Sequence, residues 1–236
     1  MKLFLFSTST IYGSQYLEYC MPHFVNIFSD AEKLLFIPFA RPGGLSHDEY
    51  TQRAAEAFAT KGMVLKGLHS ADDPIKAIQE ADGVFIGGGN TFVLLSELYR
   101  LGLIQLLRER ILAGMPYIGT SAGSNIAGQS ICTTNDMPIV YPPTFDALQA
   151  VPFNLNPHYL DPQPEVKHMG ESRETRISEF HSYNETPVIG LREGSWLECT
   201  GKEVWIRGGA SARLFLQHQE AIEIETGKDV LTYFDK

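Results

Sequence analysis

The stretch Pro116-Tyr117-Ile118-Gly119-Thr120-Ser121-Ala122-Gly123-Ser124-Asn125-Ile126-Ala127-Gly128 decides how this sequence is read. An apolar run leads into it, small residues follow, and its middle has the form G-x-S-x-G. Small residues two before and two after a serine let the chain turn sharply from a strand into a helix. The turn lifts the hydroxyl above the sheet edge, beside the unpaired N–H groups of the helix. Such a hydroxyl can serve as a nucleophile, but the same turn can hold a serine that only caps its helix. Residues elsewhere have to separate the two readings.

Working back towards the start, apolar runs bounded by turn residues recur at 3–6, 34–39, 63–65, 84–86 and 117–119. They read as buried parallel strands. Between them the spacing turns helical, as in 50–60 and in 91–100, where Phe92, Leu95 and Leu98 share a face. This alternation predicts an α/β fold with a doubly wound, mostly parallel sheet and its sites at the carboxyl ends of the strands. A small-residue helix is expected over 121–128, a proline-bearing loop over 161–169 and a helix over about 172–183. From Val188 onward, short β-type runs (196–199, 204–206, 214–216 and 222–224) alternate with glycine turns and predict antiparallel additions towards the C-terminus. No linker or repeat interrupts residues 1–236, which read as a single domain.

Composition narrows the function. The chain of 236 residues is 44% apolar and 20% charged, with a formal charge of −9 and no Lys/Arg cluster. Nucleic acid and anionic membrane are therefore not expected as partners. No apolar run approaches bilayer length, and the opening Met1-Lys2-Leu3-Phe4-Leu5-Phe6 is too short for a secretory signal. Cys20, Cys132 and Cys199 are odd in number and far apart, with no metal-ligand spacing. They predict inert buried thiols, a cytoplasmic location and no structural zinc.

A serine nucleophile needs a base, and the base needs a group that fixes its tautomer. Of seven histidines, His158 alone follows an Asn-Pro pair that fixes the local chain. Two carboxylates contend as its orienter: Glu193, at the end of a predicted strand, and Asp136, between polar residues and Pro138, which could also simply cap a turn. With Glu193 the chain order is Ser-His-Glu, unlike the Ser-acid-His of α/β-hydrolases. The glycine run Gly87-Gly88-Gly89 opens onto a helix but lacks the lysine and spacing of a phosphate loop. One of its N–H groups could join that of Ala122 to hold an oxyanion. Arg173 stands in the first turn of a helix, where the dipole disfavours a cation. Either Glu171 or Glu174 pairs with it on the surface, or it awaits a carboxylate.

Taken together, Gly87-Gly88-Gly89-Asn90-Thr91-Phe92, Gly119-x-Ser121-Ala122-Gly123-x-Asn125, the run from Thr133 to Val140, Asn156-Pro157-His158 and the run from Gly170 to Ile177 resemble the peptidase E (α-aspartyl dipeptidase) family. The likeness extends to Phe36-Ile37-Pro38-Phe39-Ala40 and to Gly190-Leu191-x-Glu193-Gly194-x-Trp196. It implies a fold similar to class I glutamine amidotransferases (flavodoxin-like) and a cofactor-free serine exopeptidase that takes small acidic dipeptides, Asp-X, through an acyl-enzyme. A homodimer is an admissible assembly. Carried over by motif, Ser121 is the nucleophile and His158 the base. Glu193 is the preferred orienter, with Asp136 kept as a second candidate. Gly88 and Ala122 form the oxyanion pair, Arg173 binds the substrate carboxylate, and Asn90 and Thr91 wall the pocket. Thr120 replaces a frequent tryptophan and Ser124 a frequent alanine, and the loop between His158 and Arg173 is about one residue longer than in some relatives. The alternatives are a cyanophycinase-like peptidase and a non-catalytic binder of an acidic metabolite.

Overall fold

All five apolar runs of the first half contribute to parallel strands in the computed structural model, which describes residues 1–162 and 170–234. They are β1 (Lys2–Phe6), β2 (Leu34–Ile37), β3 (Leu65–Gly67), β4 (Gly83–Ile86) and β5 (Tyr117–Thr120). The helices interleaved with them are α1 (Met21–Ile27), α2 (His47–Ala59), α3 (Pro74–Glu80), α4 (Thr91–Arg100) and α5 (Ile104–Leu112); α6 (Ala122–Asn125) follows β5. Strand alternation sorts the core into two faces. Phe4, Phe6, Leu34, Phe36 and Phe85 pack with Phe24 of α1 and with Tyr50 and Phe58 of α2. Leu3, Leu5, Leu35, Ile37, Val84 and Ile86 pack on the other side with Ile78, Leu94, Leu95, Leu98 and Leu107 of α3, α4 and α5. Helices thus cover both faces, as a doubly wound sheet requires.

Local chemistry sets several boundaries. Ser46 and Glu49 close a capping box at the start of α2, and Asn90 accepts from the Val93 N–H to begin α4 at the expected residue. Three helices that the sequence reading did not mark, α1, α3 and α5, are only seven to nine residues long, too short for a strong periodic signal. The helix expected over 121–128 stops after Asn125.

The second half departs more from expectation. The later strands are β6 (Asn154–Pro157), β7 (Val188–Leu191), β8 (Ser195–Thr200), β9 (Glu203–Gly208), β10 (Ala212–Phe215) and β11 (Ile222–Ile224), with α7 (Arg173–His181) between β6 and β7. Only β8 and β9 extend the main sheet as antiparallel additions, giving the order β3-β2-β4-β5-β1-β8-β9. The others form a second sheet, β11-β10-β7-β6, in which β6 and β7 run parallel. The polar, proline-bearing pattern from Asn154 to Tyr159 predicts a loop, yet residues 154–157 form β6. This strand lies at the sheet's edge and ends on Pro157, a place where a missing N–H is tolerated. Of the loop expected over 161–169, residues 163–169 lie outside the described ones. Cys20 and Cys199 are buried, and burial pushes the Cys20 thiol up to about 12, whereas Cys132 is exposed, contrary to expectation. Among the described residues no helix is long and apolar enough to cross a membrane.

Candidate active site

Three carboxyl ends of neighbouring strands, β4, β5 and β1, meet at one place, and Ser121 stands in the middle of it. Its backbone has φ 54° and ψ −110°, a strained left-handed conformation for a residue with a side chain. Close approaches enforce the turn. A Cβ on Gly119 would run into the Gly123 carbonyl, and one on Gly123 into the Ile86 carbonyl. The Ser121 N–H donates to the Phe6 carbonyl at 3.0 Å. The Ser124 hydroxyl is buried and donates to the Phe6 and Gly119 carbonyls, so Ser124 stiffens the elbow without lining a pocket. Thr120 is fully buried and its hydroxyl has no partner among the described residues.

His158, the candidate base, arrives from the second sheet. His158 directly follows β6, and Glu193 lies two residues past β7, so the ends of adjacent parallel strands deliver both side chains. His158 Nε2 is 3.0 Å from Ser121 Oγ, and His158 Nδ1 is 2.7 Å from Glu193 Oε1. A carboxylate can only accept, so Nδ1 carries the proton and Nε2 is free to take one from the serine. His158 also has a positive φ of 54°. Strained backbone at both nucleophile and base is a mark of functional sites.

Asp136, the other contender, does not contact His158. Its Oδ2 accepts from the Thr91 N–H at 2.7 Å, from the Thr91 hydroxyl at 2.6 Å and from the Thr134 hydroxyl at 3.2 Å. It caps the start of α4, and the carboxylate that His158 meets is Glu193, not Asp136. Its neighbour Asn135 reaches the base segment instead, donating Nδ2 to the Pro157 carbonyl at 2.8 Å. Replacing Glu193 by alanine should therefore lower kcat about a hundredfold. That is less than the roughly 10⁴-fold seen for buried triad acids, because water can reach this half-exposed carboxylate. Steady-state kinetics on the variant checks this, and near-normal turnover would remove Glu193 from the triad.

The glycine run passes close to Ser121. A Cβ placed on Gly88 would sit 3.1 Å from Ser121 Cβ, so any larger residue would crowd the nucleophile. The Tyr50 hydroxyl donates to the Gly88 carbonyl at 3.2 Å and holds the run in place. Neither the Gly88 nor the Ala122 N–H has an acceptor among the described residues, which leaves both available to an anion beside Ser121. Of the two expected wall residues, Asn90 is half-exposed, caps α4 and donates to the Met137 carbonyl at 2.8 Å. Thr91 is buried, and its hydroxyl is spent on Asp136, Asn125 and Thr134.

Arg173 opens α7 without an ion pair or hydrogen bond among the described residues. Glu171 lies 3.7 Å from Arg176 and Glu174 lies 3.8 Å from Arg213, so both acids that could have paired with Arg173 are engaged with other arginines. Partial burial and the neighbouring Arg176 charge lower the Arg173 pKa, while the Asp136 carboxylate opposes them. A cation so placed favours an incoming carboxylate.

Two residues that sequence reasoning missed hold the parts together. The buried Ser7 hydroxyl, just past β1, accepts from the His158 N–H at 2.9 Å and donates to the Leu191 carbonyl at 2.8 Å. It thereby ties the base and the strand before Glu193 to the strand that anchors Ser121. Ser7→Ala should lower kcat about tenfold with KM within twofold, because the His158 N–H loses its acceptor. Turnover equal to the parent's at a lowered Tm would make Ser7 purely structural. Arg192 grips Asp161 through two hydrogen bonds at 2.7 Å and Glu223 at 2.6 Å, and so fixes the turn that carries Glu193. Hydrogen bonds from Arg192 hold both carboxyls below the usual carboxylate range, so this tie is intact near neutrality and loosens as pH falls through the lowered values. Neither contact has a signal in local sequence.

The chain is similar to known proteins along nearly its whole length. The family model described as peptidase family S51 matches residues 3–207. A protein of Streptomyces coelicolor named peptidase E is 46% identical over 235 residues, spanning 100% of this chain and 96% of its own. A Drosophila melanogaster protein named "Probable alpha-aspartyl dipeptidase" is 45% identical over 217 residues, 91% of this chain and 89% of its own. Among solved structures, a peptidase from an acI-B1 actinobacterium has the same fold, with a TM-score of 0.74 at 17% identity over 97% of this chain and 96% of that one.

Proposed function

This chain belongs to peptidase family S51, and from that premise we propose that it is a serine dipeptidase that removes an amino-terminal aspartate from Asp-X dipeptides. The observation that carries the reading is the continuous relay from Glu193 Oε1 through His158 to Ser121 Oγ, at 2.7 and 3.0 Å.

The chemistry follows from those contacts. The substrate's side-chain carboxylate rests on Arg173, and its aspartyl carbonyl lies against Ser121 Oγ. His158 Nε2 takes the serine proton as the Oγ–C bond forms, while Glu193 stabilises the imidazolium. The oxyanion accepts from the Gly88 and Ala122 N–H groups, which are held before the reaction begins. The tetrahedral intermediate then breaks its C–N bond, and the leaving amine takes the proton from His158. Water, deprotonated by the same nitrogen, attacks the acyl-enzyme to form a second tetrahedral intermediate, whose C–Oγ bond breaks as Ser121 takes that proton back from His158 and aspartate is released.

With three free thiols, two of them buried, we place the enzyme in the reducing cytoplasm, acting on small acidic dipeptides. The test is a kinetic screen of Asp-Leu, Asn-Leu, Glu-Leu and N-acetyl-Asp-Leu, together with titration by a serine-directed phosphonofluoridate. Preference for Asp-Leu and one titrated serine per chain are expected. A lack of Asp-Leu hydrolysis by titratable enzyme would overturn the substrate assignment.

A further inference from the structure

Three glycines in succession carry the Gly88 N–H past Ser121, and each meets a different neighbour. A Cβ on Gly88 would crowd Ser121. One on Gly89 would strike the Ala40 carbonyl, which also accepts from the Asn90 N–H at 2.6 Å. One on Gly87 would strike the Tyr50 hydroxyl, with the ring atoms Cζ and Cε1 close behind at 2.8 and 2.9 Å. Ala40 meets the run with backbone, whereas Tyr50 meets it with a side chain from α2.

A run without Cβ atoms has little of its own to select one conformation, so its surroundings must set its peptide planes. The peptide that bears the Gly88 N–H joins Gly87 to Gly88. Tyr50 touches that unit at both ends: it fills the space beside the Gly87 Cα, and its hydroxyl donates to the Gly88 carbonyl at 3.2 Å. The phenol is itself held. It is buried, Phe36 meets its ring edge-on with centroids 4.9 Å apart, and the Arg41 guanidinium lies over its face at 4.8 Å. Arg41 follows Ala40, so the turn after β2 grips the end of the glycine run with one residue and the Tyr50 ring with the next.

We propose that Tyr50 is a positioning residue for the oxyanion hole. Its hydroxyl fixes the plane of the Gly87–Gly88 peptide, so the Gly88 N–H stands ready for the oxyanion instead of finding its place during the reaction. Tyr50 touches no reacting atom and acts through Gly88. The inference rests on the serine mechanism above and extends the machinery to a helix on the face of the main sheet opposite α4.

The experiment uses Tyr50→Phe, which keeps the ring and its packing and removes one hydroxyl. Loss of a whole oxyanion donor lowers kcat about 10²- to 10³-fold, and a loosened donor forfeits part of that. Turnover of Asp-Leu by Y50F is therefore expected to fall about tenfold to thirtyfold, with KM within twofold. Phosphonylation of Ser121 by a phosphonofluoridate reads the same site without a peptide. The Oγ–P bond forms, the P–F bond breaks, fluoride leaves, the serine proton goes to His158, and the phosphoryl oxygen takes the oxyanion's place. Its second-order rate is expected to fall by a similar factor, while the midpoint of its pH profile, which follows the base, stays at the parent's value. Calorimetry on Ser121→Ala, with and without Y50F, is expected to show Asp-Leu bound equally within twofold. Phosphonylation at the parent's rate overturns the proposal and leaves Tyr50 a core residue. A shifted midpoint, or a loss that appears equally in Asp-Leu binding, overturns it as well. Failure of the dipeptidase reading shows in the parent instead, as no hydrolysis of Asp-Leu by enzyme that is still phosphonylated, and the phosphonylation rates then decide the proposal alone.

Discussion

A Ser121→Ala variant should melt with the parent and lose between about 10⁴ and 10⁶ of kcat. The Ser121 side chain makes its hydrogen bond to His158 and to no other described residue, while the turn is held by the Ser121 N–H on Phe6 and by the close passage of Gly119 and Gly123. Removing one hydroxyl at such a position alters stability by no more than about 0.5 kcal/mol. Its removal from the chemistry is another matter, because a triad acts as a unit and loses nearly everything with its nucleophile. The acceleration that survives comes from the Gly88 and Ala122 N–H groups, which still stabilise an oxyanion formed by attack of water. A thermal melt beside turnover of Asp-Leu checks both halves. Activity above about 1% of the parent's would remove the serine mechanism.

The second large effect falls on the substrate. Asp-Leu should be cleaved about thirty to several thousand times more efficiently than Asn-Leu, and Arg173→Met should erase most of that difference. Glu171 and Glu174 are taken by other arginines, so the charge of Arg173 is left without an ion pair among the described residues, as the proposed role requires. When a dipeptide closes over it, a carboxylate restores what dehydration removes and a neutral amide does not. An unpaired buried charge costs roughly 2–5 kcal/mol, which sets the range of the ratio. Comparable kcat/KM values for the two dipeptides would sink the role given to Arg173.

What could be read in the sequence is what local sterics decide. The elbow is legible because two small residues around a serine admit one turn, and α4 because Asn90 caps a strongly periodic run. Of the five parallel strands, β1, β2, β4 and β5 are buried on both faces and announce themselves, whereas β3 shares only Leu65 with its apolar run and exposes Lys66. The second sheet is legible only in part: the runs 214–216 and 222–224 mark β10 and β11, but the edge strand Asn154–Pro157 has polar residues and a proline where a strand signal would be sought. The choice between Glu193 and Asp136 could not be made from spacing. Both are polar residues near turns, and a contact made 35 residues along the chain decides between them. Ser7 lay beyond any local reading, because its bond to His158 spans 151 residues.

Nucleophile and base are mounted on different sheets, β5 of the larger and β6 of the smaller, and Ser7 bridges them. Catalysis therefore gauges the alignment of two bodies, to a tolerance far finer than the one that keeps either intact. A shift of about 1 Å between the sheets would open the Nε2 to Oγ contact while leaving every strand hydrogen-bonded within its own sheet. In a urea titration, turnover is then expected to fade at lower concentrations than the circular dichroism signal. The enzyme would be silenced by loosening well before it unfolds.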